Sequence, residues 1–343
     1  MLESRSMSRR RDIDSLVEQV QQQITHCITC QPYEGGEAVW IFGSRTDIDD
    51  VLDSCSVPER LKDEVLSQIN CPGCGASIER PCDVGIKHDF EIEYDETLER
   101  AERRYESKLY DFSHFLQRVP YLGANHPLGK AILRTIKKFP KRSVERRSWF
   151  RGRRVVDGRS ISTDDLRPPD PEQIAIPEGR FNHYGQAYWY LASTAEAASA
   201  EVVRAGWKMA WIQEWSIDHL DGVLDLRPWS PDDDGAFDDD GRPKEVPLLA
   251  VAMIFGDQIT SMPARSEGWK PEYLVPRFLA DAAKLNDFSA ILFKSPRHYD
   301  ENLVVFDRNA EFEPVGAPRK VELPEYLDKK REGIFFYQGF PTL

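Results

Sequence analysis

The sequence predicts an α+β protein built in more than one part, and three observations carry that expectation. Two C-x-x-C pairs, Cys27–Cys30 and Cys71–Cys74, sit in the first quarter of the chain. A charged stretch from Asp95 to Arg118 repeats Leu98, Ala101, Tyr105, Leu109, Phe112 and Leu116 at helical spacing. The C-terminal half alternates short apolar or aromatic runs with helix-forming segments, the pattern of buried strands packed against helices.

Composition sets the outer bounds. A chain of 343 residues is long enough for one large domain or two to three smaller ones. With 41% apolar residues it can bury a core and is not a disordered chain. No apolar run approaches the roughly 18 residues that cross a bilayer. The opening MLESRSMSRRRD is charged with no apolar stretch behind it, so it is not a secretory signal and a cytoplasmic location is expected. The net charge of −13 argues against general nucleic-acid binding. It is uneven, however: Lys130–Arg159 holds twelve Lys and Arg against only Glu145 and Asp157. That segment is a candidate anion-binding face, although a solvated helix and linker would carry the same charge.

Residues 1–90 read as a zinc-ribbon-like module with an insertion. A helix is expected over Asp12–Gln23. Each C-x-x-C knuckle, the second written CPGCG, bends the backbone so that two thiolates converge on one tetrahedral ion. Cys27, Cys30, Cys71 and Cys74 are thus candidate ligands of a structural Zn2+, since no spare ligand or nearby acid marks an open catalytic position. Independent buried thiols are the other reading, and disulfides are not expected in a reducing compartment. Cys55 and Cys82 are bystanders. Between the pairs, Gln31–Asn70 is an insertion with a strand over Glu37–Phe42 and helices over Thr46–Val51 and Glu59–Ile69.

Residues 91–145 form a helical region. After the helix ending near Arg118, a second runs from Pro127 to Lys138 and is closed by Pro140. His114 and His126 are the residues with catalytic potential here, and Arg118 stands too far from His126 for an Arg-x4–6-His nuclease motif.

Residues 146–325 carry the candidate catalytic domain, and 326–343 a C-terminal tail. Trp149-Phe150-Arg151-Gly152-Arg153-Arg154 reads as a strand ending in an arginine-rich turn, which would present guanidinium forks to a diphosphate. Asp164–Pro177 is a proline-rich loop. Gly179–Glu201 is a loop, a buried aromatic strand at Tyr188-Trp189-Tyr190, and an Ala-rich helix capped by Ser193 or Thr194. Strands follow at Trp207–Trp215 and Gly222–Leu226, then an acidic, solvated loop over Pro231–Pro243. Pro271 precedes a helix over Glu272–Leu285. Ala290–Phe293 and Leu303–Phe306 are buried strands, and Ser295 sits at the end of the first.

In this order the pieces resemble the RES domain, named for an Arg, a Glu and a Ser. The matching elements are Phe150–Arg153, Gly179–Asn182 with Gly185, and Tyr190-Leu191-Ala192 followed by Glu201. Tyr273 with Phe278–Asp281, Phe293-Lys294-Ser295 and Asn302–Phe306 complete them. Arg277 departs from the Gln of the family pattern, and the 153–179 linker and the acidic loop are long. The resemblance implies an ADP-ribosyltransferase-like fold acting on NAD+, commonly as a toxin that depletes it by hydrolysis or phosphorolysis.

On that reading Glu201 holds a ribose hydroxyl and the developing cation, because cleavage of the nicotinamide–ribose bond builds oxocarbenium character. Arg151 and Arg180 clamp the phosphates. Tyr190 stacks on nicotinamide or ribose, and Ser295 fixes the ribose or a phosphate. Arg153 and Asn182 complete the nucleotide-binding set. For Arg180 a salt bridge with Glu201 is the competing structural role, and for Tyr190 plain core packing. Implied partners are NAD+, a phosphate co-substrate, a helix-turn-helix antitoxin and a second copy of the chain. Two alternatives stand beside the NAD+-consuming enzyme: an ADP-ribosyltransferase acting on a macromolecule, and a zinc-ribbon module that binds nucleic acid or a partner.

Overall fold

The structure is a computed structural model that describes residues 2–155, 160–203, 209–228, 247–256, 259, 261–262 and 268–322. The acidic loop expected over Pro231–Pro243 and the tail over 326–343 lie outside the described residues. Contacts divide the chain into an N-terminal unit ending at Glu96 and a C-terminal unit beginning at Thr97.

In the N-terminal unit, α1 (Leu2–Gln23) leads into β1 (Ile24–Cys27), and a short hairpin of β2 (Tyr33–Glu34) and β3 (Glu37–Ala38) follows. Then come β4 (Ser44–Asp47), α2 (Ile48–Ser54), α3 (Lys62–Leu66) and β5 (Asp83–Ile86), with β1, β5 and β4 forming an antiparallel sheet in that order. The expected strand at Glu37–Phe42 shrinks to two residues, because Gln31 occupies the backbone there. Its side-chain oxygen accepts from Ile41 N and Phe42 N at 3.0 and 3.1 Å, and its amide donates to Phe42 O. Asp47 caps α2 by accepting from Asp49 N at 2.8 Å, which delays the expected helix start from Thr46. The core gathers Ile13, Val20, Ile48, Leu52, Val65, Ile69 and Val84 with Cys27 and Cys71.

Helix α4 (Asp89–Arg118) and α5 (Pro127–Ile136) precede the main sheet, whose strands are β6 (Arg142–Arg154), β7 (Trp189–Ala192), β8 (Met209–Asp225), β9 (Ala290–Lys294), β10 (Glu301–Val305) and β11 (Glu313–Glu322). Helices α6 (Ala195–Val202), α7 (Leu248–Phe255) and α8 (Leu274–Leu285) fall between them. The strand order is β11-β8-β6-β7-β10-β9, and the C-terminal end of β8 also pairs in parallel with β9, Val223 opposite Ala290. Five strands therefore close into a ring, with β11 attached outside it along the first part of β8.

The two strands expected at 207–215 and 222–226 are one strand. Polar Ser216–Asp221 gave no apolar pattern, yet β6 supplies a ladder partner there, from Arg147 opposite Ile217 to Glu145 opposite His219. A strand needs only a paired backbone and one buried face, and Ile217 supplies the second.

Alternation sorts the sheet's side chains. One face fills the ring with Trp149, Trp189, Leu191, Trp215, Ile217, Leu292, Leu303 and Val305, and the Trp189 and Trp215 rings meet edge-on at 4.9 Å. The other face carries helices in two layers. Tyr190, Phe293 and Val304 pack with α4, α5, α7 and α8, whereas Ala192, Ala210 and Ile212 pack under α6. Gly152 makes the second layer possible. A Cβ there would lie 2.7 Å from Ala198 O and 3.1 Å from Val202 Cγ2, so only glycine lets α6 lie this close to β6.

Candidate active site and metal centre

The seam between those two helical layers brings Glu201, Ser295 and Asn302 together. Thr194 Oγ1 accepts from Ala197 N at 3.1 Å and starts α6, as its residue type predicts. The helix runs two turns and delivers Glu201 to its C-terminal end, where the carboxylate side chain is 30% exposed. Ser295 Oγ, just past β9, donates to Glu201 Oε1 at 2.7 Å. Asn302 Nδ2, on β10, donates to the same oxygen at 2.7 Å. Arg297 Nε stands 3.8 Å from Glu201 Oε2. Asn302 pairs with Ala192 across the ladder, and Tyr190 lies diagonally from it on the same face, a separation of about 7–8 Å in a regular sheet.

Tyr190 ties the seam to the Gly179–Gly185 loop. Its hydroxyl donates to Asn182 Oδ1 at 2.9 Å and accepts from Phe181 N at 3.1 Å. Burial pushes its pKa up from the ordinary phenol value, so the phenol stays neutral and serves as this two-way link. Asn182, nearly fully buried, spends its amide donors on Pro177 O and His183 O, both at 3.0 Å. A side chain at Gly179 would strike Asn182 Oδ1 at 2.1 Å and the Tyr190 hydroxyl at 3.0 Å, which explains the glycine. Arg180 donates to Ile259 O and, at 2.9 Å, to Ser261 O, and stacks 4.7 Å over the Tyr273 ring. These contacts, rather than a bridge to Glu201, hold the guanidinium.

Arg151 belongs to the opposite side of the sheet. Strand alternation places it with Trp149 and Gln213, and Phe150 is opposite Ala192 on the outer face. Its guanidinium donates to Tyr188 O at 3.1 Å and lies 5.5 Å over the Trp189 ring. Among the described residues no carboxylate pairs with it. Burial first, and Arg153 next, pull it down to about 9. Arg153 donates to Arg167 O at 3.3 Å. Glu201 and Ser295 are thus brought into direct contact. Tyr190, Asn182 and Arg180 form a second group one strand over, and Arg151 and Arg153 come from the far face.

Sequence reasoning did not single out two participants. Asn302 was legible as a polar residue heading an otherwise apolar strand, and Arg297 as a cation two residues past Ser295. A third feature is the dyad of His183 Nε2 and Asp281 Oδ2 at 2.7 Å, extended by Lys284 at 2.9 Å, beside the Asn182 loop. Nothing in local spacing joins residues 98 positions apart.

In the N-terminal unit Cys27, Cys30, Cys71 and Cys74 come together, with all four Sγ atoms within 4.8 Å of one another. The Cys27–Cys30, Cys27–Cys74 and Cys30–Cys71 separations are 3.9, 3.6 and 3.6 Å. A tetrahedron of thiolates about 2.3 Å from a central ion has edges of ~3.8 Å, so this cluster could hold a metal ion. The thiols are free of disulfides, and burial pushes Cys30 and Cys71 upward, which a bound cation would reverse. Cys27 N donates to Cys71 Sγ at 3.1 Å, a fixed dipole that favours the thiolate. Cys55 and Cys82 stay outside the cluster. His26 stacks on Phe42, and His88 is engaged with Ser44 at 2.7 Å.

The family model of the RES domain matches residues 153–326, half of the chain, and the chain belongs to the RES domain family. The match starts two residues after Arg151 and contains Arg180, Tyr190, Glu201, Ser295 and Asn302. A chain in the crystal structure of the M. tuberculosis MbcT-MbcA toxin-antitoxin complex is similar at 17% identity and a TM-score of 0.32. The similarity covers 60% of this chain and 98% of that one. No curated protein matches the chain. Among the described residues no helix is long and apolar enough to cross a membrane.

Proposed function

We propose that the C-terminal unit consumes NAD+ by cleaving its nicotinamide–ribose bond, as the resemblance of its motifs to RES toxins implies. The observation that supports this best is Glu201. It is a partly exposed carboxylate held by two buried donors, with the Arg297 guanidinium nearby. As the bond to nicotinamide breaks, positive charge develops on the ribose, and a fixed carboxylate in a poorly solvated seam stabilises that charge. Arg151 reaches Tyr188 O from the other face of the sheet, and with Arg153 beside it on the same strand it would meet a diphosphate at the start of β7. Arg180, Asn182 and Tyr190 shape the loop against which the nucleotide lies. The four-cysteine cluster holds a structural Zn2+, which would fix the knuckles of the N-terminal unit.

The test is an NAD+ consumption assay with product identification. Wild-type protein is expected to release nicotinamide, and Glu201→Ala to abolish release while keeping its circular dichroism spectrum. Unchanged NAD+ with the wild type, or equal consumption by the variant, overturns the reading. Added inorganic phosphate separates the two chemistries: ADP-ribose alone identifies a glycohydrolase, and a phosphorylated ADP-ribose identifies a phosphorylase. Labelled NAD+ appearing on protein would instead identify an ADP-ribosyltransferase.

A further inference from the structure

Ser295 lies beside the carboxylate, yet its hydroxyl has nothing left to give a ligand. A serine hydroxyl has one proton and two lone pairs. The proton goes to Glu201 Oε1 at 2.7 Å, and the oxygen accepts from Arg297 N and His298 N, each at 3.1 Å. The residue is 3% exposed. Asn302, 6% exposed, points its amide donor at the same Glu201 oxygen, also at 2.7 Å. Both short donors therefore converge on Oε1. Among the described residues Oε2 meets only Arg297 Nε, at 3.8 Å.

We infer that Ser295 and Asn302 are positioning residues that lock Glu201 through Oε1, leaving Oε2 as the oxygen that faces the substrate, and that Ser295 does not touch NAD+ itself. This rests on the NAD+ reading above. A glutamate side chain has three rotatable bonds, and its charge can turn away from a developing cation. Two charge-assisted hydrogen bonds to one oxygen fix both the depth and the plane of the carboxylate. Ser295 is itself set by its turn: Ser295 N donates to Asp300 O at 2.9 Å, which closes the loop between β9 and β10. Asn302 is set by the ladder, between Ala192 on β7 and Phe293 on β9. The carboxylate's aim is thereby referred to two strands of the ring rather than to its own short helix.

The test separates aiming from contact. Ser295→Ala and Asn302→Leu are each expected to lower kcat by roughly ten- to a hundredfold, the cost of a small misplacement of a reacting group, with KM for NAD+ within about threefold of wild type. In a Glu201→Ala background, adding Ser295→Ala should leave the NAD+ dissociation constant, read by calorimetry, unchanged. A several-fold weaker constant in the double variant, or a raised KM at unchanged kcat, means Ser295 touches the substrate and overturns the inference. Melting temperatures give an arm independent of NAD+. The shifts of Glu201→Ala and Ser295→Ala should combine to less than their sum, whereas full additivity overturns the lock. Subadditive melting together with a wild type that neither binds nor consumes NAD+ would leave the lock standing and remove the NAD+ reading instead.

Discussion

Arg277 shows how one side chain can serve the site from a distance. It is 2% exposed on α8 and pairs with Glu178 at 2.5 Å, while also donating to Tyr273 O and Lys270 O at 3.1 and 3.2 Å. Glu178 immediately precedes Gly179 and Arg180, so Arg277 pins the start of the loop that reaches Tyr190. The family pattern's glutamine at this position would be too short to make all three contacts. Arg277→Gln is expected to cost about 1–3 kcal/mol, read as a lowered midpoint in urea unfolding. The Asp281 network gives a pH expectation. Burial alone would raise its carboxyl, but hydrogen bonds from His183 and Lys284 outweigh that and hold it below its ordinary value. Its folded-state pKa is depressed, so its stabilisation is complete above the unfolded value and fades as pH falls through the folded one. Unfolding midpoints of wild type and Asp281→Asn should therefore differ at pH 7 and draw together in the acid range.

The elements around the site differ in how plainly the sequence announced them. Thr194, Glu196 and the alanines made α6 readable, and the aromatic run made β7 readable, because caps and buried strands are local patterns. Helix α7 was not expected: LLAVAMIF is apolar on all sides, and such a segment has no amphipathic period to find. The pairing of Ser295 with Asn302 on one oxygen also escaped, since it depends on the turn and ladder between β9 and β10. Two expectations belong at this scale. Thr194→Ala removes the cap of α6 and should cost about 1 kcal/mol by denaturant unfolding. Gly152→Ala should do more to activity, because its methyl group would push α6 off β6 and carry Glu201 from its donors. Nicotinamide release should then fall more steeply than stability does, and proportionate losses of both would argue against that displacement.

Among the described residues the N-terminal unit has its own core around the thiol cluster, separate from the clusters in and around the ring. Separate cores predict separate melting events. Cys71→Ser, or a strong chelator, should lower the transition of the N-terminal unit in calorimetry and leave the transition of the C-terminal unit in place. One undivided transition would count against that independence. The α+β class and the two C-x-x-C pairs were legible because knuckles and strand–helix alternation are written in neighbouring residues. Ring closure was not, because β8 meets β9 across more than sixty intervening positions, from Val223 to Ala290.

That closure has a consequence for how the protein behaves in a crowded solution. In the main sheet, ring closure pairs its strands with one another, so there the hazard of sheet-to-sheet sticking falls on β11, ten residues long and mostly exposed. Its sequence, EPVGAPRKVE, carries Pro314 and Pro318, which offer no N–H, and Arg319 and Lys320, which repel a copy of themselves. Its register against β8 also breaks between Val315 and Arg319, which spoils a flat template. The outermost strand is thus a poor seed for aggregation. Replacing both prolines with threonine should leave the ring intact and make the purified protein self-associate, as followed by light scattering.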